Sequence, residues 1–130
     1  MKILVGYKGG NVGRELLKIA LSHAKAFDGE LLIVTSMVGG EKAESEKVQK
    51  AEDDLKKVEK HFEENGVSCK THLLVRGLDV GEDIVNFANE KKVDEIIIGV
   101  KSRSKVGKLI FGSTAQAVIL QAECPVLAVK

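Results

Sequence analysis

The chain contains no tryptophan, one tyrosine and four phenylalanines in 130 residues. That is too few rings for the aromatic platforms on which single-stranded bases stack. A surplus of one charge is also missing. Twenty Lys and Arg stand against 19 Asp and Glu, a net charge of +1, so no global field draws the chain to nucleic acid. The two cysteines, Cys69 and Cys124, lie far apart with no second sulfur or histidine at ligand spacing. Neither a disulfide framework nor a structural zinc or other metal site is expected, and a reducing, cytoplasmic setting fits. No apolar run approaches the roughly 20 residues of a membrane-crossing helix. The opening run Ile3-Leu4-Val5 is too short for the core of a signal peptide.

What remains is 44% apolar and 30% charged, the balance of a globular protein, and the length fits one domain over residues 1–130. Lys2–Tyr7, Leu31–Met37, Val67–Val75, Val93–Gly99 and Pro125–Val129 read as strands, several of them continuously apolar. Such runs suit strands covered on both faces. Between them lie helical patterns. Val12, Leu16, Ile19, Ala20, His23 and Phe27 mark the first, with Asn11 as its expected cap and Asp28-Gly29 as its end. The second runs from Glu41 to Asn65 on a narrow stripe of Val48, Ala51, Leu55, Val58 and Phe62, its charges forming a solvated face. The third follows Asp79, which forms a capping-box pattern with Glu82, and the fourth spans Ser113 to Glu123, with Ser113 and Gln116 as a second such pattern. Strand and helix alternate throughout. The expectation is a three-layer α/β/α fold with a five-stranded parallel sheet and right-handed crossovers.

In such sheets ligands bind beyond the carboxyl ends of the strands, where strand order reverses. The two most glycine-rich loops, Gly6–Gly13 and Gly99–Gly112, would meet there if the first and fourth strands are neighbours. The second loop carries Lys101, Arg103, Lys105 and Lys108, and no acid occurs between Val100 and Ala122. It empties into a helix N-terminus, whose free N–H groups and dipole favour an anion. A phosphate contact and a simple cap at Ser113 would compete for the same N–H groups. Ser102–Leu109 is not a P-loop, because Ser102 replaces the first glycine and Leu109 the Mg²⁺-binding Ser/Thr. Gly6-x-x-Gly9-Gly10-x-x-Gly13 lacks the spacing of a dinucleotide fingerprint, and the second strand ends in Ser36-Met37 with no acid for a ribose. His23, His61 and His72 have no carboxylate or nucleophile at an obvious catalytic spacing, so structural or surface roles are expected. No acid/base pair or nucleophile elbow is evident.

Gly99-x2-Ser102-x9-Gly112-Ser113 resembles the universal stress protein signature G-x2-G-x9-G-(S/T). Phe111–Gln116, Cys124–Leu127, Ile3–Tyr7 and Ala128–Lys130 also resemble that family's segments, in order and across essentially the whole chain. The resemblance implies a sheet of order 3-2-1-4-5, of the adenine nucleotide alpha hydrolase-like type. It also implies a homodimer built by antiparallel pairing of the last strands, Pro125–Val129, which bottom-up reasoning supports because an open edge strand invites pairing. Members with the full signature bind ATP, so the implied ligand is ATP, with Mg²⁺, or a related adenine nucleotide. The implied nucleotide-binding residues are Tyr7, Lys8, Ser36, Ile98, Gly99, Ser102, Gly112, Ser113 and Thr114. Two positions depart from the pattern. Lys8 stands where the family's nucleotide binders usually carry an Asp, and Ser102 replaces the second glycine. Both changes weaken recognition of the adenosine more than that of an anion. The function implied is a dimeric stress-response regulator binding a nucleotide. The alternative is a nucleotide-free interaction module of the same fold. No dedicated catalysis is expected, at most slow ATP hydrolysis, and neither a nucleic acid nor a membrane partner.

Overall fold

The computed structural model describes residues 1–40, 44–103 and 109–130. Lys105, Lys108 and the expected start of the second helix at Glu41 lie outside the described residues, as do the side chains of Asn11, Lys101, Ser102 and Arg103. The elements are β1 (Lys2–Gly6), α1 (Gly10–Phe27), β2 (Glu30–Met37), α2 (Glu44–Glu64), β3 (Cys69–Val75), α3 (Val80–Lys91), β4 (Glu95–Gly99), β5 (Lys101–Arg103), β6 (Leu109–Phe111), α4 (Ser113–Gln121) and β7 (Val126–Val129). The main sheet is parallel, in the order β3-β2-β1-β4-β7. Counting only its own strands, that is the expected 3-2-1-4-5.

Alternation within the apolar strands builds a core on each face. Ile3, Val5, Ile33 and Ile97 point toward α1 and α2 and pack with Leu16, Leu55 and Phe62. Leu4, Leu32, Val34, Ile96 and Ile98 point the other way and pack with Ile84, Phe87, Ala115 and Val118. Val67 and Val93, expected within strands, instead close the helices before them. Their N–H groups bond back to Phe62 and Ala88 carbonyls, 3.0 and 3.1 Å away. Gly66 and Lys92 precede them in the left-handed conformation, the geometry of a Schellman closure. α1 ends the same way, with Asp28 left-handed and the Gly29 N–H donating to the Ala24 carbonyl at 2.8 Å.

Three expectations about loops and caps are corrected. The segment after β4 is not wholly a loop. β5 and β6 pair as a short antiparallel ribbon, with Lys101 opposite Phe111 and Ser102 opposite Ile110. Neither capping box closes. Asp79 sits at the N-cap of α3 without a side-chain capping bond, and the N-cap of α4 is Gly112, which places Ser113 inside the helix. The Gln116 amide donates to the Phe111 carbonyl at 3.3 Å instead of reaching back to the N-cap N–H. α1 begins at Gly10, one residue before the expected cap Asn11.

Candidate functional site

β1 and β4 are central neighbours, so the β1–α1 turn and the chain leading into α4 meet at the carboxyl ends of the strands. Two glycines make the approach close. A Cβ on Gly99 would lie 2.7 Å from Val12 Cγ1, so only glycine lets α1 settle against the end of β4. A Cβ on Gly13 would lie 2.8 Å from Tyr7 Cε1, so the first turn of α1 can lie against the tyrosine ring.

Between these elements opens a cleft of about 350 Å³. Val12, Leu16, Val34, Ile84 and Ile98 supply its apolar lining, and Gly112, Ser113 and Thr114 one rim. The N-termini of α1 and α4 both border it through Gly9 and Gly112. Neither has a side-chain capping bond or an acid in its first turn. α3, by contrast, carries Glu82 and Asp83 in its first turn. The first N–H groups of a helix have no intrahelical acceptor. Two uncapped helix starts at one cleft therefore give it a positive potential, opposed on the α1 side by Asp54, whose Oδ2 would lie 4.0 Å from a Cβ on Gly9.

Of the nine residues expected at the site, Tyr7, Lys8, Ser36, Ile98, Gly99, Gly112, Ser113 and Thr114 line this cleft together. Ser102 pairs with Ile110 in the ribbon beyond it, and its side chain lies outside the described residues. Tyr7 is half-buried. Its phenol is pushed up from its ordinary value, first by burial and then by the Asp54 carboxylate, against a smaller opposing pull from Arg14. At neutral pH it is therefore a hydroxyl donor. Ser36 is buried, and its Oγ donates to Asp83 Oδ2 at 2.6 Å. It borders the cleft with its hydroxyl already committed.

Sequence reasoning missed that commitment. Asp83 is fully buried, and its other oxygen accepts from Arg76 Nε at 2.6 Å. Arg76 NH1 continues to Glu90 at 3.1 Å. The Arg76 guanidinium is held above its ordinary pKa, chiefly by the hydrogen bond to Asp83. Arg76 and Asp83 stand seven positions apart with a turn between, a spacing with no sequence signature. Sequence reasoning also missed a carboxylate beside His23, whose Nδ1 lies 3.0 Å from Glu95 Oε1. This pair sits at the amino end of β4, away from the cleft at the other end of the strands. His72 stacks near Phe87, with ring centres 4.9 Å apart, its Nε2 enclosed and its pKa lowered by burial and then by Lys91 and Lys70. The Cys69 thiol is pushed up to about 12 by burial, reinforced by Glu59 and Glu63, which makes it a poor nucleophile at neutral pH. Among the described residues no three His, Cys, Asp or Glu side chains gather as a metal site. Among the described residues no helix is long and apolar enough to cross a membrane.

The model of the universal stress protein family matches residues 1–130. The chain belongs to that family. A universal stress protein of Methanocaldococcus jannaschii is 37% identical over 140 aligned positions, covering 99% of this chain and 81% of the relative. Among solved structures, a universal stress protein from Archaeoglobus fulgidus superposes with a TM-score of 0.87 at 34% identity, covering 99% and 97% of the two chains. A second from that organism, solved in complex with dAMP, superposes with a TM-score of 0.81 at 29% identity, covering 99% and 96%. The family match embraces both departures from the signature, Lys8 and Ser102.

Proposed function

We propose that this universal stress protein binds an adenine nucleotide, ATP with Mg²⁺ or its monophosphate relatives, in the cleft between β1, β4 and α4. It would act as a cytoplasmic regulatory dimer in a stress response. The observation that carries the reading is the convergence of two uncapped, acid-free helix N-termini on an apolar cleft. An apolar floor suits a base and a furanose. The N–H groups of Gly112, Ser113 and Thr114 suit a phosphate, which needs donors and no competing carboxylate. The relative that holds dAMP at 29% identity supports the same ligand class. Tyr7 and Ser113 would supply hydroxyl donors, Ile98 and Gly99 the apolar wall, and Lys8 a cation at the mouth.

Calorimetric titration of AMP and ATP tests this. Micromolar affinity is expected in the wild type. In Gly112→Val, a branched side chain on the rim would cut it about tenfold or more, the loss expected from one displaced charge-assisted contact. Millimolar or absent binding in the folded wild type would overturn the nucleotide reading and favour an interaction module.

The open edge of β7 supports the dimer reading. The carbonyls of Pro125 and Val129 accept from the N–H groups of Ile96 and Val100, so residues 125, 127 and 129 turn their backbone toward β4. By the period of two, Val126 and Ala128 offer their backbone groups to the outside. Leu120 of the neighbouring α4 is 81% exposed. Ala128→Pro removes an outward N–H and leaves every bond to β4 in place. It should convert the dimer to monomer in sedimentation analysis while the melting transition stays cooperative. An unchanged mass would rule out pairing through this strand.

A further inference from the structure

A second cleft, of about 380 Å³, adjoins the first and shares Tyr7, Lys8, Ser36 and Val80 with it. Its far wall is α2, which contributes Lys47, Lys50, Ala51 and Asp54. Its remaining lining comes from the end of β2 at Thr35 and Met37. Three lysines therefore face one carboxylate across a concave surface. Among the described residues none of the three has an ion-pair partner, whereas Lys18, Lys70 and Arg76 each do. Of the neighbouring acids on the same helix, Asp53 accepts a hydrogen bond from the Gln49 amide at 3.1 Å. Asp54 acts on the Tyr7 phenol, on the wall common to both clefts, where Arg14 acts in the opposite sense.

We infer that Lys8, Lys47 and Lys50 form a second anion subsite, so that the joined clefts select a nucleotide carrying a second phosphate on the side of the nucleoside away from Gly112–Thr114. The inference rests on the nucleotide reading of the first cleft and names the substrate class that reading leaves open. Its geometry is that of the sheet. The α4 rim lies beyond β4 and the lysines of α2 beyond β2, with β1 between them. Two strand spacings separate the ends, on the order of 10 Å, within reach of a nucleoside phosphorylated at both ends and flexible lysine stems. Lys8, which borders both clefts, stands between the two anions and serves either. A neutral far end of the ligand would leave three ammonium groups facing one another across the cleft, with Asp54 as the one acid among its described lining residues. A phosphate there removes the mutual repulsion.

Titration calorimetry with adenosine 5′-monophosphate and adenosine 3′,5′-bisphosphate, each at two salt concentrations, tests the inference. The wild type should bind the bisphosphate about fivefold tighter at low salt, the scale of two or three partly exposed charge pairs, and the advantage should shrink as salt rises. Lys47→Gln/Lys50→Gln changes only exposed positions on α2 and should keep the fold. It should bind the monophosphate as the wild type does and lose the bisphosphate advantage. Asp54→Asn should enlarge that advantage. A wild type that binds the monophosphate and shows no preference overturns the second subsite alone. So does a preference that survives the double substitution. If neither nucleotide binds, the nucleotide reading falls and the subsite falls with it.

Discussion

Arg76→Met is expected to lower the unfolding free energy by about 3 kcal/mol and the melting midpoint by roughly 10 °C. The reason lies in what the substitution leaves behind. Asp83 is fully buried in the first turn of α3, and its carboxylate is held by two strong bonds of 2.6 Å, one from Arg76 and one from Ser36. Methionine matches the length of the arginine stem and removes the guanidinium. The carboxylate would then keep one hydroxyl donor in a place that water does not reach. An unpaired buried charge costs far more than the pair contributed. The outer half of the network matters less. Arg76 is one-third exposed and Glu90 half-exposed, so solvent screens their contact. Removing both charges therefore separates the two effects. Arg76→Met/Asp83→Leu should recover most of the stability lost by Arg76→Met. Urea unfolding of the three proteins measures this. A loss below about 1 kcal/mol in Arg76→Met would show that the Asp83 carboxylate finds another donor or water. The network also reaches the candidate site, because Ser36 borders both clefts and its hydroxyl is oriented by Asp83.

The fold was legible because each apolar strand is a run of neighbours, such as Ile96-Ile97-Ile98, that feeds both faces of the sheet. The helices between these runs call for a parallel sheet with right-handed crossovers, while the order of its strands came from the family resemblance. The candidate cleft was legible where backbone builds it. Gly99, Gly112 and Ser113 stand at spacings fixed by a strand end and a helix start, and both bound the cleft. What escaped was contact made across the fold. Asp83 follows Glu82 in a helix first turn, and nothing local to it names Ser36, 47 residues away, as its partner. The His23–Glu95 pair spans 72 residues. The lysines of α2 looked like part of a wet helix face. Their role at the second cleft depends on how that helix lies across the ends of β1 and β2, and the narrow Val48–Phe62 stripe leaves that undetermined. Caps were misjudged for a different reason. Ser-x-x-Gln and Asp-x-x-Glu are sequence patterns, and a pattern does not choose between capping the helix and leaving its N–H groups open. At α4 the N–H groups are left open, with no side-chain cap at Gly112.

Gly81→Val should cost about 2–3 kcal/mol of stability and, in the protein that still folds, reduce nucleotide affinity by roughly tenfold, a loss of one well-placed contact. Gly81 lies in the first turn of α3, where that helix crosses α4. A Cβ there would meet Ala117 Cβ at 2.6 Å, the Thr114 carbonyl oxygen at 3.2 Å and Thr114 Cα at 3.5 Å. The last two belong to the helix backbone and cannot swing aside as a long side chain would. Relief requires α4 itself to slide or tilt, and its first turn carries the Ser113 and Thr114 N–H groups at the rim of the cleft. One packing defect on the far side of α4 is thus transmitted to the anion end of the site by a rigid helix. The smaller Gly81→Ala should show the same pattern at lower amplitude. Ala117→Gly removes the nearest clash but not the approach to Thr114. In the Gly81→Ala background it should therefore restore part of the stability while affinity recovers less. Thermal unfolding and titration on the same four proteins give both readouts. If affinity in Gly81→Val matched the wild type despite the lost stability, α4 would not be the element that positions the phosphate, and the donors would have to come from the α1 turn.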